Sequence, residues 1–311
     1  MDKDLIALSP WGTGPLGLSP TERSRLTPSP FEPPGYPMTP TSSLRAQAIF
    51  MSPATLIAAG IVLPPLLFVF YTSVHGLALS PVSFSAVLTS TLFRQTLSTT
   101  LYIAGLSSLL SLFLGFVVAL HLARQPARRR GFLMILVLLP FWTNVLVKTF
   151  AFMIILGRDG LINSLLSWIF QTKIELPLVL NLFGVLVGMT SYLVPLVVLP
   201  ILASLLAIDR AIYRAAAIMG ARPARIFWTV TIPMSLPGVF AGLLSAFVLS
   251  LGAFVIPALL GGPRDAMLSN LVDFYNREVL NWPMASAIGV LLLGMAFFFA
   301  APLALWRRRK I

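Results

Sequence analysis

The chain has 311 residues, of which 57% are hydrophobic and 10% are charged, a composition that excludes an ordinary soluble domain and is typical of a membrane protein. The absence of cysteine excludes disulfides, thiol catalysis and thiolate metal sites. The formal net charge of +12 does not indicate nucleic-acid binding, because nearly all of the charges lie between apolar runs, where they flank membrane segments.

The first 47 residues are rich in proline, serine, threonine and glycine and show no apolar period. Such a segment cannot bury enough apolar surface to offset the entropy lost on ordering. It also lacks the basic start and apolar core of a secretory signal. We therefore predict a disordered cytoplasmic tail over residues 1–47 and a membrane domain over residues 48–311.

Six apolar segments follow the tail, and each is long enough for a helix to cross a hydrocarbon core of about 30 Å. These segments cover residues 49–73, 97–123, 132–156, 182–205, 239–260 and 284–306. The predicted fold class is therefore all-α, a polytopic membrane protein with six transmembrane helices.

Lysine and arginine are distributed unequally between the two sides that six crossings define. The tail, the loops after the second and fourth segments, and the C-terminus together carry sixteen of them, against five on the other side. Because cytoplasmic loops carry the excess of positive charge, both termini are predicted to lie in the cytoplasm.

The cytoplasmic loop over residues 209–238 begins with the signals of a short helix. Asp209 is an N-cap residue, and the alanines that follow favour helix while leaving little side-chain bulk. Gly220 is a natural stop for this helix because glycine adopts positive φ without strain.

A second short helix is predicted to follow the glycine. Pro223 suits its first turn, and Pro233 and Pro237 are predicted to end it, so that Gly238 opens the fifth apolar segment. The side chains it would present are Ile226, Phe227, Val230 and Ile232. Such a pair of helices could lie on anionic headgroups or dock a cytoplasmic partner; only docking accounts for the turn and the spacing of the prolines.

This loop resembles the "EAA" loop of type I ABC importer permeases. The matching positions are Arg214, Ala215, Ala216, Gly220, Ala221, Pro223, Phe227, Pro233, Pro237 and Gly238. The resemblance implies a type I ABC permease fold with core helices over about residues 93–306, and a short helix that fits a groove on an ATP-hydrolysing subunit. One position departs from the family pattern, since Arg214 stands where the family carries glutamate.

Two further stretches, residues 138–166 and 257–272, and the sequence "NWPMASAIG" resemble the spermidine/putrescine-type permeases. The resemblance implies import of a polyamine or of a related amine, opine or amino-acid-like compound across a bacterial inner membrane. It also implies three kinds of partner: a cytoplasmic ATP-binding subunit that holds ATP and Mg, a second permease subunit and a periplasmic solute-binding protein. The chain itself is expected to bind no cofactor.

The third apolar segment contains polar residues that are candidates for the translocation pathway. Trp142, Asn144 and Lys148 lie close together in it, and the last two are four residues apart, on one helix face. A lysine within an apolar run is a functional candidate. Snorkelling of Lys148, or a structural pairing with a neighbouring helix, remains an equal alternative. Tyr192 in the fourth segment is a weaker candidate, because packing beside Pro195 explains it adequately.

The outer side offers two segments of interest. Residues 158–160 predict a turn that leads into a short interfacial helix. Asp273 and Tyr275 lie before the last apolar segment and are candidates for contact with a solute-binding protein or for an outer gate. Ordinary solvated loop residues are the simpler interpretation of each.

The sequence does not contain the residues that catalysis would need. It has no phosphate-binding G-x-x-x-x-G-K-[ST] loop, and His75 and His121 belong to different apolar segments. An ion-coupled secondary carrier, the main alternative, would need intramembrane carboxylates, and the apolar segments contain none. An intramembrane enzyme or scaffold would need a catalytic constellation or large soluble domains. The importer permease is therefore favoured.

Overall fold

The computed structural model describes residues 44–75 and 82–308, which are helical with no strand. The helices in these ranges are α1 (Leu44–His75), α2 (Val82–Thr89), α3 (Thr91–Arg124), α4 (Ala127–Trp142), α5 (Val145–Leu156), α6 (Leu161–Phe170), α7 (Leu182–Leu206), α8 (Arg210–Ile218), α9 (Pro223–Ile226), α10 (Ile232–Leu251), α11 (Val255–Leu260), α12 (Leu268–Arg277) and α13 (Trp282–Arg308). A π-helical turn, Phe227–Thr231, joins α9 to α10.

The chain divides into two compact units, residues 1–62 and residues 63–311. In the first unit the described residues form the beginning of α1, which starts at Leu44, inside the predicted tail. The rest of that tail, residues 1–43, lies outside the described residues. Large apolar side chains of this part of α1 are exposed, as lipid-facing residues are.

Among the described residues, five helices are long and apolar enough to cross a membrane: those over residues 55–74, 91–124, 182–206, 223–251 and 282–301. A sixth crossing exists if α4 forms one span with α5 and α6. The two parts, residues 127–142 and 145–170, meet at an angle of 91°. The prediction of an all-α polytopic membrane protein is confirmed. Both termini share one side only if this bent pair crosses the membrane.

The third apolar segment, predicted over residues 132–156, is not one continuous helix, because the helix breaks between Trp142 and Val145. Thr143 has extended backbone angles, and Asn144 caps the new helix by accepting a 2.8 Å hydrogen bond from the amide of Leu146. Pro140 lies just before the break. A proline that removes one helical hydrogen bond and an asparagine that offers another explain why the chain turns here.

The prediction that prolines end the short helix before the fifth segment is also wrong. From Pro223 the chain is helical through the π turn to Leu251, so Gly238 lies within this span and does not open it. Pro233 occupies the first turn of α10, where a missing amide is tolerated. Residues 255–260, predicted as the end of the same segment, form the separate helix α11.

The core of the second unit lies where α3, α7 and α10 pack together. Small residues allow the helices to approach closely, as is usual in membrane bundles. Gly115 of α3 lies against Val197 of α7, and Gly242 of α10 lies against the backbone of the same residue. A second cluster of buried side chains comes from α2, α3, α12 and α13, and there the hydroxyl of Thr100 accepts a 2.8 Å hydrogen bond from the amide of Leu268.

Candidate functional site

The loop after α7 contains α8, and its start is as predicted. Asp209 precedes the helix with extended backbone angles, and its carboxylate accepts a 2.8 Å hydrogen bond from the amide of Ala211. This satisfies one of the amides that a helix start leaves free.

The end of α8 is closed by Gly220, as predicted, with φ of +77°. The amide of Gly220 donates to the carbonyl of Ala217 at 3.0 Å, and that of Ala221 donates to the carbonyl of Ala216 at 3.1 Å. These two bonds are the Schellman pattern, in which a left-handed residue lets the chain cross over its own helix end. The turn therefore depends on a backbone conformation that most side chains disfavour.

The span that follows the turn begins with α9 and the π turn. Arg222 is the N-cap and Pro223 is the first helical residue, in agreement with the prediction. In the π turn the amide of Ile232 donates to the carbonyl of Phe227, five residues earlier. The hydroxyl of Tyr213 lies 3.3 Å from that of Thr231, so α8 is joined to the π turn by a hydrogen bond.

The exposed side chains of this region differ from those predicted. The predicted Ile226, Phe227, Val230 and Ile232 are all half-buried. The residues that sequence reasoning missed are Ile218, Met219 and Trp228, with exposed fractions of 87%, 79% and 68%. The sequence signal that could have identified them is the presence of large apolar residues close to the predicted helix stop at Gly220.

Phe227 and Trp228, two neighbouring residues of the π turn, have different environments. The Phe227 ring contacts Phe116 of α3 edge-on, with centroids 6.3 Å apart, while the Trp228 indole points outward. Within α8, Ala216 is buried, whereas Arg214 and Ala215 are exposed. The loop thus presents large apolar groups and an arginine around a small helix. We call α8, the Gly220 turn, α9 and the π turn the coupling segment.

The pathway candidates lie at the break between α4 and α5. The Lys148 ammonium lies 5.6 Å from the centroid of the Tyr192 ring on α7, within the range of a cation–π contact. Phe141 also stacks on that ring, with centroids 6.4 Å apart and an interplanar angle of 19°. The Lys148 nitrogen is buried and has no hydrogen-bond partner among the described residues. The structure therefore brings Lys148 and Tyr192 together.

Asn144 and Trp142 lie at the same break but have other surroundings. The Asn144 side chain caps α5 by accepting the Leu146 amide, so the start of α5 accounts for this residue. Trp142 ends α4 and has an exposed fraction of 84%.

We expect Asn144→Ala to destabilise the protein by about 1 kcal/mol, because the amide of Leu146 loses its cap. Asn144→Ser retains a capping oxygen and should unfold near the wild-type temperature. Thermal unfolding of the purified protein in detergent measures both. If serine and alanine destabilise the protein equally, the capping interpretation of Asn144 is wrong.

Polar side chains hold the two segments that are predicted to lie on the outer side. The turn at residues 158–160 leads into α6, as predicted, and the buried amide of Asn163 donates to the carbonyls of Gly157 and Leu176, each at 3.0 Å. The amide of Leu176 in turn donates to the Asn163 oxygen at 3.0 Å. Sequence reasoning missed Asn163, because an asparagine inside a short helix does not reveal its partners.

Asp273 and Tyr275 both lie on α12 but have different environments. Asp273 forms a 2.7 Å ion pair with Arg277 and lines a cavity of about 490 Å³ together with Glu278 and the Phe254 ring, which we call the outer cavity after its predicted side. Tyr275 packs against the second buried cluster. No hydrogen bond, ion pair or ring contact of the described residues joins either of them to Lys148 or Tyr192. In the described ranges, no group of histidine and acidic residues could hold a metal ion.

Comparison with known proteins gives a consistent family. Residues 111–310 match the model of the family described as "Binding-protein-dependent transport system inner membrane component". The chain is 28% identical over 201 residues to the spermidine/putrescine transport system permease protein PotB of Escherichia coli K12, a match that covers 65% of this chain and 73% of the relative. It is 29% identical over 214 residues to the molybdenum transport system permease protein ModB of Mycobacterium bovis, covering 68% and 79%.

A solved structure also shares the fold. A chain from the crystal structure of a bacterial ABC transporter involved in the import of the acidic polysaccharide alginate superposes with a TM-score of 0.66. The match covers 85% of this chain and 96% of that one, at 17% sequence identity. This similarity concerns the fold alone.

Proposed function

The chain belongs to the family of binding-protein-dependent transport system inner membrane components, and we propose that it forms the translocation pathway for a small amine. It is a permease subunit of an ABC importer, a transport subunit and not an enzyme. The proposed solute is a polyamine of the spermidine/putrescine class or a related amine, opine or amino-acid-like compound.

The observation that carries the choice of an amine is the Tyr192 ring. The centroid of this ring lies 5.6 Å from the ammonium group of Lys148, and Phe141 stacks on the ring. Aromatic rings attract ammonium groups through their quadrupole, most strongly where water is excluded. A charged Lys148 ammonium at this distance repels a cationic solute, so the ring favours an amine only where an anionic group, on the solute or on a partner chain, offsets the lysine charge.

The outer cavity supports the same class of solute. Two carboxylates, Asp273 and Glu278, line it beside the rings of Phe254 and Phe274. Arg277 pairs with Asp273, and the described residues contain no ion pair for Glu278. A carboxylate next to aromatic rings favours a cation that carries apolar methylene groups. The relatives include permeases named for spermidine/putrescine and for molybdenum, so family membership by itself leaves the solute open.

The proposed partners follow from the type of importer. A pair of cytoplasmic ATP-binding subunits, holding ATP and Mg, would dock on the coupling segment, where Ile218, Met219 and Trp228 are exposed. A second permease subunit would complete the pore, and a periplasmic binding protein would deliver the solute. This arrangement puts both termini and the coupling segment in the cytoplasm of a bacterium, with the chain in the inner membrane.

The test is ATP-dependent uptake into proteoliposomes that contain the permease with its ATP-hydrolysing and solute-binding partners. We expect uptake of spermidine, putrescine or an opine, and none of molybdate. Tyr192→Leu, which removes the aromatic face, should raise the KM about tenfold, while Tyr192→Phe, which retains it, should stay near the wild type. Uptake of molybdate without any amine would refute the proposed solute class, and equal KM values for leucine and phenylalanine would refute the role of the ring.

A further inference from the structure

A second cavity, of about 810 Å³, lies beside the coupling segment. It is bounded by the ends of α3 and α7, the start of α4, and parts of α8, α9 and the π turn. Its lining consists of Leu120, Ala123, Arg124, Arg130, Leu205, Leu206, Ile208, Arg210, Tyr213, Pro223, Ile226, Phe227 and Thr231. Neither the pathway candidates nor the exposed apolar surface of the coupling segment lies in it.

The cavity is strongly basic. Arg124, Arg130 and Arg210 contribute guanidinium groups from three different helices, and the lining contains no acidic residue. The ion pairs of the described residues involve none of the three. The nearest acid in sequence, Asp209, uses its carboxylate to cap α8. Three positive charges therefore line one cavity without a described counter-charge, an arrangement that favours binding of an anion.

The rest of the lining is mostly apolar. Leucines from the last turns of α3 and α7 and the ring of Phe227 form it. The spans over residues 91–124 and 182–206 both end beside this cavity. The excess of lysine and arginine in the neighbouring loops assigns these ends to the cytoplasmic surface of the membrane. A ligand that fits such a cavity has an anionic head and an apolar body.

We propose that this three-arginine cavity binds the phosphate group of an anionic phospholipid. Guanidinium groups pair with phosphate oxygens through two parallel hydrogen bonds, and basic pockets between membrane helices on the cytoplasmic side hold anionic headgroups. Inorganic phosphate shares the headgroup chemistry, but only the lipid also covers the apolar lining. The site is independent of which solute is transported.

The position of the cavity gives the lipid a role beyond packing. Its wall includes Tyr213 and Thr231, whose hydroxyls join α8 to the π turn, and Phe227, which contacts α3. A bound headgroup therefore touches both the ends of the spans and the coupling segment, and it favours the arrangement in which they lie together.

Native mass spectrometry of the purified full chain, titrated with phosphatidylglycerol, phosphatidylcholine or inorganic phosphate, tests this proposal. We expect phosphatidylglycerol to bind at least about tenfold more tightly than phosphatidylcholine, and millimolar phosphate not to displace it. The variant Arg124→Gln/Arg130→Gln/Arg210→Gln should lose this preference. The matched control Arg214→Gln/Arg222→Gln/Arg225→Gln removes three charges from the same side but from outside the cavity, and it should retain the preference.

Three outcomes would overturn the proposal. Equal binding of the two lipids by the wild-type chain, a measurement that needs no variant, would show that no anionic lipid site exists. Displacement of phosphatidylglycerol by phosphate, with phosphate binding alone as tightly, would make the site one for free phosphate. A triple variant that retains phosphatidylglycerol but no longer holds the ATP-hydrolysing subunit would assign the arginines to that subunit.

Discussion

Replacing Gly238 with alanine is expected to lower the thermal unfolding temperature by about 5 °C or more, since overpacking costs about 1–3 kcal/mol or more. Gly238 is buried where α10 crosses α7. A Cβ atom at this position would collide with the carbonyl oxygen of Pro200 and would lie 2.8 Å from the Cβ atom of Ser204. The Pro200 oxygen is a backbone atom and the Ser204 Cβ atom is bonded to the backbone, so neither can move without shifting α7.

The control for this prediction is Gly105→Ala. Gly105 lies inside α3, and a Cβ atom there would have nothing within 4 Å. Alanine should therefore be neutral or slightly stabilising at Gly105, because it favours helix over glycine. Thermal unfolding in detergent and the monodisperse fraction on size exclusion measure both variants. Similar unfolding temperatures for the two variants would contradict the close approach of α7 and α10.

Replacing Gly220 with valine is expected to lower coupled transport about tenfold, because the left-handed conformation costs an L-residue roughly 1–2 kcal/mol and a β-branched one more. A Cβ atom at Gly220 would meet nothing within 4 Å, so the backbone angle is the whole obstacle. If the Schellman turn does not form, α8 and α9 lose the angle at which they would meet an ATP-hydrolysing subunit.

Gly220→Asn separates the backbone effect from the effect of any side chain, since asparagine tolerates positive φ. We expect asparagine to support nearly wild-type uptake and solute-stimulated ATP hydrolysis in proteoliposomes. Valine should lower both the uptake and the stimulation about tenfold while leaving the permease folded and inserted. If valine transports as well as asparagine, the turn does not transmit motion between the subunits.

Sequence reasoning succeeded where short-range chemistry decides the structure. Asp209 and Gly220 act through their own carboxylate and their own φ angle, so residue type and position are enough to predict them. The apolar spans are equally local properties, because length and hydropathy define them.

Sequence reasoning failed where the outcome depends on neighbouring helices. Pro233 and Pro237 resemble helix breakers, but the π turn before them and packing on α7 keep the span continuous. The π turn also adds one residue to the helical repeat, which rotates the face expected from a period of 3.6. Phe227 faces inward and Trp228 outward.

The break in the third segment was missed for a related reason. A hydropathy window counts residues 132–156 as continuous, although Thr143 and Asn144 in its middle are residues that start a new helix. The contact between Lys148 and Tyr192 joins two spans and leaves no trace in either of them alone.

One strip of α3 that faces α7 consists of small residues and makes few hydrogen bonds to α7. The hydroxyls of Ser107, Ser108 and Ser111 all donate to carbonyls of their own helix, at 3.3, 2.6 and 2.7 Å. The one hydrogen bond they make to α7, from Ser111 to the carbonyl of Thr190, is long, at 3.5 Å. Gly115 follows along the same face, so this strip of α3 consists of small residues, while the large side chains of Ile103 and Leu122 pack elsewhere in the same cluster. A shift of α7 along this strip would therefore break only one interhelical hydrogen bond of these serines.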